Sequence, residues 1–407
     1  MKYPVGIQTF EKIIEGEFVY VDKTDLVYSL VKEGQIYFLS RPRRFGKSLL
    51  LSTLRAYFEG KKNLFAGLKI DALEHDWHVH KVFHFDFNGT NFSEPNALNM
   101  TIEGYLHDWE KEYGITPEVD FNLGSRFNRI LQAAAEHTGR GAVVLVDEYD
   151  KPLLDVLEKD PELLEQNREI LKSFYSVFKQ ADASLRFVFL TGVTKFSQVS
   201  VFSGFNQPLD ISMTEKFEAL CGITEEELHT QFAEPIRKMA ESDGCTEEEI
   251  RQKLKRHYDG YHFSKNMADI YNPFSLLNAF YNNDVRDYWF ASGTPSYLIR
   301  LMNHFHEGID ELTNKFYLPD EFINYKADVE YPLPMIYQSG YLTIKDYDKE
   351  SNLFLLDFPN NEVKSGFLAM IDTKGYARPY EADARQVYKI GVNFSSETGT
   401  IEEWESK

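Results

Sequence analysis

The chain has 407 residues, and its 44 Lys and Arg against 64 Asp and Glu give a formal net charge of −20. That balance excludes a protein that coats nucleic acid or anionic membrane by bulk charge, because such affinity comes from neutralising phosphates; a local basic groove is still compatible with it. With 43% hydrophobic and 15% aromatic residues the chain is globular, and at roughly 150 residues per domain it holds two or three domains.

Two cysteines, Cys221 and Cys245, are too few for a disulfide scaffold or a cysteine-rich zinc site. The start, Met1-Lys2-Tyr3-Pro4-Val5-Gly6, has no apolar stretch of the signal-peptide kind, and no apolar run approaches roughly 18 residues. The expectation is a cytoplasmic protein of a reducing compartment with no membrane partner.

The first informative stretch is a β-prone run, Gln35 to Ser40, followed by the loop Arg41-Pro42-Arg43-Arg44-Phe45-Gly46-Lys47-Ser48 and an apolar-periodic helix from Leu49 to Leu54. That is the strand, loop, helix order a phosphate-binding loop needs. Further buried-strand candidates are Val82 to Phe87, Val143 to Val146, Phe187 to Leu190 and, more weakly, Leu209 to Met213; helical patterns such as Phe127 to His137 and Asn167 to Gln180 lie between them. Strands alternating with helices predict a parallel α/β sheet. After about Thr214 the texture changes. Thr224 before Glu225-Glu226-Glu227 and Thr246 before Glu247-Glu248-Glu249 read as helix N-caps with acidic first turns. They open a mostly helical, aromatic region that ends in a hairpin from Gly340 to Lys345 and from Leu353 to Asp357. Val387 to Phe394 is one last strand candidate.

The loop and a second motif together suggest a nucleotide site. Gly46, Lys47 and Ser48 supply the backbone N–H groups at a helix N-terminus, an ammonium for the β and γ oxygens, and a hydroxyl for Mg²⁺. Arg41 stands where the usual pattern has its first glycine. Val143-Val144-Leu145-Val146-Asp147-Glu148 reads as a central strand delivering two carboxylates to the crevice of an open α/β sheet. Asp147 is then the magnesium carboxylate, with Ser48, and Glu148 orients or deprotonates the attacking water. Thr191, at the end of Phe187 to Leu190, faces the γ-phosphate if its strand lies beside that of Asp147. Lys195 is a candidate charge stabiliser, and Asp150 is either a support for the acidic pair or a solvated turn residue. Arg43, Arg44 and Phe45 complete the nucleotide-binding set, with Arg41, Arg43 and Arg44 packing three guanidiniums into four residues, suited to phosphate or to an acidic partner.

The segments Tyr20-Val21-Asp22-Lys23-Thr24, Arg41 to Ser48, Leu145 to Asp150, Leu190-Thr191-Gly192-Val193, Tyr258-Asp259-Gly260-Tyr261 and Tyr271-Asn272-Pro273-Phe274 resemble the AAA-ATPase-like family of bacterial proteins, which usually carry a PD-(D/E)XK nuclease-type C-terminal domain. The resemblance spans most of the chain, and an Arg in place of the first loop glycine is a habit of that family. It implies a P-loop fold with an additional strand between the loop strand and the Asp-Glu strand. Val82 to Phe87 and the separation of Lys47 from Asp147 by 100 positions (147 − 47) agree with this. It also implies that the middle of the nuclease domain is missing, since Gly366-Phe367-Leu368 passes almost directly to Ile371-Asp372-Thr373-Lys374-Gly375-Tyr376-Ala377, similar to that domain's far end. Glu362-Val363-Lys364, with Asp357 five residues earlier, mimics a nuclease Glu-X-Lys motif without a second acid at a suitable place.

Two other clusters invite chemistry. His75, His78, His80 and His84 suggest zinc, against a plain reading as a loop entering a strand. Tyr258 to Phe263 could stack on bases, against a plain reading as core. The expectation is therefore a P-loop, AAA-like parallel α/β domain over residues 1–214, a helical domain over 215–367 and a short α+β nuclease-like remnant over 368–407. Its ligands are ATP and Mg²⁺, and its action is a slow ATPase working as a nucleotide-dependent switch. The competing readings are a non-hydrolysing scaffold in which Arg41 closes the loop, and a metal-dependent nuclease. Another protein or a nucleic acid at the helical domain, and a second copy of the chain, stay open as partners.

Overall fold

Five all-parallel strands form the central sheet of the computed structural model: β1 (Ile36–Ser40), β2 (Val82–Asp86), β3 (Ala142–Asp147), β4 (Leu185–Gly192) and β5 (Leu209–Asp210). Their spatial order is β2-β3-β4-β1-β5. The structure describes residues 1–116, 121–196, 208–293, 297–299, 312–325, 331–374, 390–394 and 401–406. Every residue of β3 is buried, as a central parallel strand covered on both faces requires, and this is why its sequence is apolar without alternation.

The expected intervening strand exists, but it is a different segment. β4 lies between β1 and β3, while Val82–Asp86 is an edge strand on the far side of β3. The reason is register: Val82 to Asp86 pairs with Val143 to Asp147, and β4 pairs on one side with β3 and on the other with Ile36 to Ser40. Because all the strands run the same way, the ends carrying Asp86, Asp147, Thr191 and Ser40 lie along one edge of the sheet, where open α/β sheets bind ligands. The Leu209–Met213 candidate contributes two residues, Leu209 and Asp210, paired with Tyr37 and Phe38.

The helix that follows the loop is Lys47–Phe58. Leu50, Leu51, Leu54 and Phe58 are buried, the i, i+4, i+8 pattern of one face packed on a sheet. On the β2 side the helices Ala97–Tyr113, Leu123–Thr138 and Pro161–Tyr175 close over an aromatic layer in which Phe85 meets Trp109, Phe127 and Phe174 at 4.9 to 5.3 Å.

A second apolar core is built by Leu228, Phe232, Ile236, Ile250, Leu254, Tyr258, Leu276 and Phe280, among others, on the helices Glu225–Gln231, Ala233–Asp243, Glu247–Tyr258 and Pro273–Asn282. Both expected acidic N-caps are complete capping boxes, Thr224 with Glu227 and Thr246 with Glu249. The predicted hairpin forms from Thr343–Asp348 and Leu353–Asp357, with Lys315–Tyr317 as a third strand.

By its contacts the chain divides into Met1–Val363 and Lys364–Lys407. The second unit holds most of the helix Asn361–Lys374 and an antiparallel pair, Ile390–Phe394 with Ile401–Ser406. The pair covers the Ile390 to Phe394 part of the last strand candidate; Val387 to Lys389 lie outside the described residues.

Candidate functional site

The loop turns into the helix Lys47–Phe58 through two left-handed residues, Arg44 at φ 65° and Gly46 at φ 97°. Gly46 is the residue whose lack of a β-carbon makes that turn cheap. The turn leaves the first N–H groups of the helix without intrahelical partners at the sheet edge, next to the strand-end carboxylates. Phe45, between the two, is 1% exposed and packs edge-on against Tyr261 (4.8 Å) and Phe263 (5.6 Å). Its ring anchors the loop, so only its backbone is left to serve a ligand.

Lys47 is buried. Its Nζ donates to the carbonyls of Arg41 (3.1 Å) and Pro42 (3.3 Å) and lies 3.4 Å from Oε1 of Glu148. Glu148 follows β3 in the left-handed region at φ 54°, a conformation that a non-glycine residue keeps only where its surroundings enforce it. Here Tyr149 N–H donates to Thr191 O at 2.9 Å, fixing the turn. The loop lysine and the strand-end glutamate, 101 positions apart (148 − 47), are thus in direct contact.

Asp147 is 2% exposed, and its Oδ1 accepts from Thr191 Oγ1 at 2.8 Å. Thr191 does lie beside Asp147, as β3–β4 pairing demands. However, it is fully buried, and its hydroxyl is committed to the aspartate rather than presented to the cleft. Asp150 is fully buried too, not a solvated turn residue: Oδ2 accepts from the N–H groups of Val193 and Thr194 and from Thr194 Oγ1. Burial, reinforced by the nearby Glu148 charge, pushes its carboxyl up to about 7. Asp150 therefore ties the turn after β3 to the end of β4.

Three residues weighed as candidates stand elsewhere than those roles would need. The Arg41 guanidinium points away from the loop, donating to the carbonyls of Ser40, Ser212, Phe217 and Glu218 and lying 4.1 Å over the Phe263 ring; it does not close the loop. Lys195 pairs with Asp210 at 2.6 Å, on the β5 side of the sheet. Glu362 opens a helix instead of standing on a strand, and accepts from Ser275 Oγ and Trp289 N–H. Two bland readings hold. Tyr258, Tyr261 and Phe263 are core residues. His75 and His78 lie on an exposed loop, His80 binds the Gly141 carbonyl at 2.8 Å, and His84 is in β2. Among the described residues no group of three or more His, Cys, Asp or Glu is arranged to hold a metal ion.

A cleft of about 520 Å³ opens along the sheet edge, lined by Arg43, Arg44, Lys47, Ser48 and Glu148, inside the range of roughly 300–1,000 Å³ usual for small-molecule sites. Arg44 stacks 4.4 Å over Phe274 and donates to Ser292 Oγ at 3.0 Å; Arg43 donates to the Gly293 carbonyl. Sequence reasoning missed the rest of the wall: Asp86, Asn88, the segment Pro4 to Gln8, and Pro273 with Phe274. Asp86 carried a signal, since it ends its strand with a carboxylate as Asp147 does and pairs with it in register. Pro273 and Phe274 lie in the Tyr271 to Phe274 segment that carries the family resemblance, which singled them out without assigning them to the site; Asn88 and the segment Pro4 to Gln8 carried no signal. An apolar hollow of about 100 Å³, walled by Val19, Val21, Leu50, Leu220 and Ile223, adjoins the cleft and shares Pro4, Gly46, Leu49, Pro273 and Leu277 with it.

A parallel sheet with one strand between the loop strand and the acidic strand, a Gly-Lys-Ser turn opening a helix, and an Asp-Glu pair across the crevice define a P-loop ATPase fold of the AAA type. Comparison with known proteins agrees. A family model described as a predicted AAA-ATPase matches residues 4–202. An uncharacterized protein encoded in the vnfD 5′ region of Azotobacter chroococcum mcd 1 is 39% identical over 371 residues, covering 89% of this chain and 68% of that protein. The chain belongs to this AAA-ATPase-like family. Among solved structures, Aeropyrum pernix ORC1 in complex with DNA (11% identity, TM-score 0.30, 88% of this chain and 95% of that one) and Pyrobaculum aerophilum CDC6P (11%, 0.25, 92% and 94%) are similar, at levels that carry no argument of their own. Among the described residues no helix is long and apolar enough to cross a membrane.

Proposed function

We propose that the protein binds ATP with Mg²⁺ in the cleft at the sheet edge and hydrolyses it slowly, as a cytoplasmic nucleotide-dependent switch. The observation that carries this reading is the contact of Lys47 with Glu148 at the N-terminus of a 12-residue helix, beside the buried Asp147. The donor set fits a triphosphate: Lys47, Arg43, Arg44 and the first N–H groups of the helix are cationic or donating, and Asp147, Glu148 and Ser48 are oxygen ligands or acceptors of the kind magnesium takes. A bound magnesium ion supplies charge neutralisation on the phosphate oxygens.

The chain's own residues do the rest. Lys47 exchanges its loop carbonyls and Glu148 for phosphate oxygens. Ser48 and Asp147 are the metal-side ligands, Asp147 held in place by Thr191. Glu148, released from Lys47, accepts a proton from, or orients, the attacking water. The adjoining apolar hollow suits the flat face of a nucleobase, with Pro4, Leu49 and Leu277 continuous between it and the cleft. Phe274 and Asn278, on the helix Pro273–Asn282, line the same cleft, which gives the helical part a means of sensing what occupies it. The three-part division at residues 214 and 367 remains our proposal for how the switch is organised, as do a protein or nucleic-acid partner at the helical part and self-association.

The deciding experiment is titration calorimetry with Mg-ATP plus a phosphate-release assay on wild type and Lys47→Ala. Binding and turnover in wild type, both lost in the variant, are expected. Identical behaviour of the two proteins overturns the reading in favour of a non-hydrolysing scaffold.

A further inference from the structure

The phosphate loop is fastened from outside by an element that the nucleotide reading does not use. Trp289, in the short helix Tyr288–Ala291, sends its indole Nε1–H to the carbonyl oxygen of Arg43 at 3.0 Å. Ser292 and Gly293, the next residues along, take the Arg44 and Arg43 side chains. Trp289 is 1% exposed, and its position is fixed at the backbone: its own N–H donates to Glu362 Oε1 at 2.6 Å. Ser275 Oγ donates to the same carboxylate at 2.8 and 3.0 Å. Glu362 is fully buried, a setting in which a carboxylate is retained only with its hydrogen bonds satisfied.

The consequence for the loop follows from peptide geometry. In a planar trans peptide the C=O and the following N–H point in opposite directions. Tying the Arg43 carbonyl to the indole therefore turns the Arg44 N–H away from Trp289. Arg44 itself sits at φ 65°, a left-handed conformation that its β-carbon disfavours and that needs an external hold. The side-chain contacts to Phe274, Ser292 and Gly293 grip the ends of Arg43 and Arg44, whereas the indole contact fixes the peptide between them.

We propose that Trp289 and Glu362 are positioning residues for the phosphate loop: Glu362 fixes Trp289, and the Trp289 indole sets the Arg43–Arg44 peptide so that the Arg44 N–H is offered to a phosphate oxygen. This rests on the nucleotide reading given above and adds two residues to it, one of them more than 300 positions from the loop (362 − 44 = 318).

The test uses full-length variants. Trp289→Phe keeps an aromatic ring, though a smaller one, and removes the donor; Glu362→Ala removes the anchor; Glu362→Gln keeps an acceptor for the Trp289 N–H. Mg-ATP affinity is measured by calorimetry, and amide hydrogen exchange is followed in peptides covering residues 41–48 and in β3 and β4, alongside the melting temperature. Trp289→Phe is expected to weaken Mg-ATP about tenfold and to speed exchange in the loop, with exchange in β3 and β4 unchanged and the melting temperature lowered, since the smaller ring leaves a void at a buried position. Glu362→Ala should weaken Mg-ATP and speed loop exchange to the same extent while also lowering the melting temperature, because it orphans the buried Ser275 hydroxyl and Trp289 N–H, and Glu362→Gln should restore wild-type affinity and loop exchange. Wild-type affinity and loop exchange in Trp289→Phe overturn the proposal. Wild type that binds no nucleotide overturns the site reading, and with it the phosphate role of the Arg44 N–H. Faster loop exchange in Trp289→Phe would then still uphold the tether, and unchanged exchange would overturn it.

Discussion

The ammonium of Lys47 lies 3.4 Å from the carboxylate of Glu148, while two loop carbonyls occupy its other donor directions. In this arrangement the glutamate competes with phosphate for the lysine. Glu148→Gln removes the competing charge and the proton acceptor together, so Mg-ATP should bind at least as tightly as in wild type while phosphate release falls by about a hundredfold or more. Calorimetry and a phosphate-release assay on the same preparation check this. Unchanged turnover would remove Glu148 from the chemistry.

Thr191 acts through Asp147. Thr191→Val keeps the shape and deletes the hydroxyl that donates to Asp147 Oδ1 at 2.8 Å, leaving a nearly fully buried carboxylate oxygen without that partner. The expected loss is about 1–3 kcal/mol of stability, read by urea denaturation. A higher Mg²⁺ concentration for half-maximal turnover is expected as well, because a freed carboxylate is a poorly aimed ligand. If the variant keeps its magnesium dependence, Thr191 has no hold on the metal side of the site.

Arg41 belongs to the scaffold. Arg41→Met keeps the aliphatic stem but strips donors from the carbonyls of Ser212, Phe217 and Glu218. We expect a loss of about 3 kcal/mol in unfolding free energy with nucleotide affinity retained in the folded protein. Affinity lost at full stability would put the guanidinium at the phosphates after all.

Glu362 makes stability depend on pH in a stated direction. Burial raises its carboxyl from the ordinary 4.5 to about 7, so the fold favours the protonated form. The stability this contributes is complete below pH 4.5 and disappears as the pH rises through about 7, a change of about 3 kcal/mol. His257 and Asp287 face the same carboxyl and pull in opposite senses. Glu362→Gln should remove this share, so that the variant gains on wild type between pH 5 and pH 8. Denaturation curves across that range decide it, and parallel pH profiles would mean that the carboxyl is not held up by burial.

Much of the site could be read from local sequence. The run Val143 to Val146 before two acids, and Gly46-Lys47-Ser48 between a β-prone run and an apolar-periodic helix, each state their own structure, because strand burial and helix entry are set by neighbours within a few residues. The capping boxes at Thr224 and Thr246 were legible for the same reason. Which strand stands between the two motifs was not legible, since sheet order is decided by which apolar faces cover one another, and Val82–Asp86 and Leu185–Gly192 both read as apolar strands in the sequence. The direction of a long side chain was equally hidden. Arg41, Arg43 and Arg44 look alike in sequence, yet one is sealed beneath the loop and two line the cleft.

Composition and motif order thus determined the class of fold, the loop, and the acidic pair, all of them consequences of short-range physics. The tertiary structure alone decided that Lys47 meets Glu148, that Thr191 serves Asp147, and that Trp289 and Glu362 brace the loop from a remote part of the chain. Those contacts join residues roughly 40 to 250 positions apart, and at such separations only the packing of one buried surface on another selects the partner.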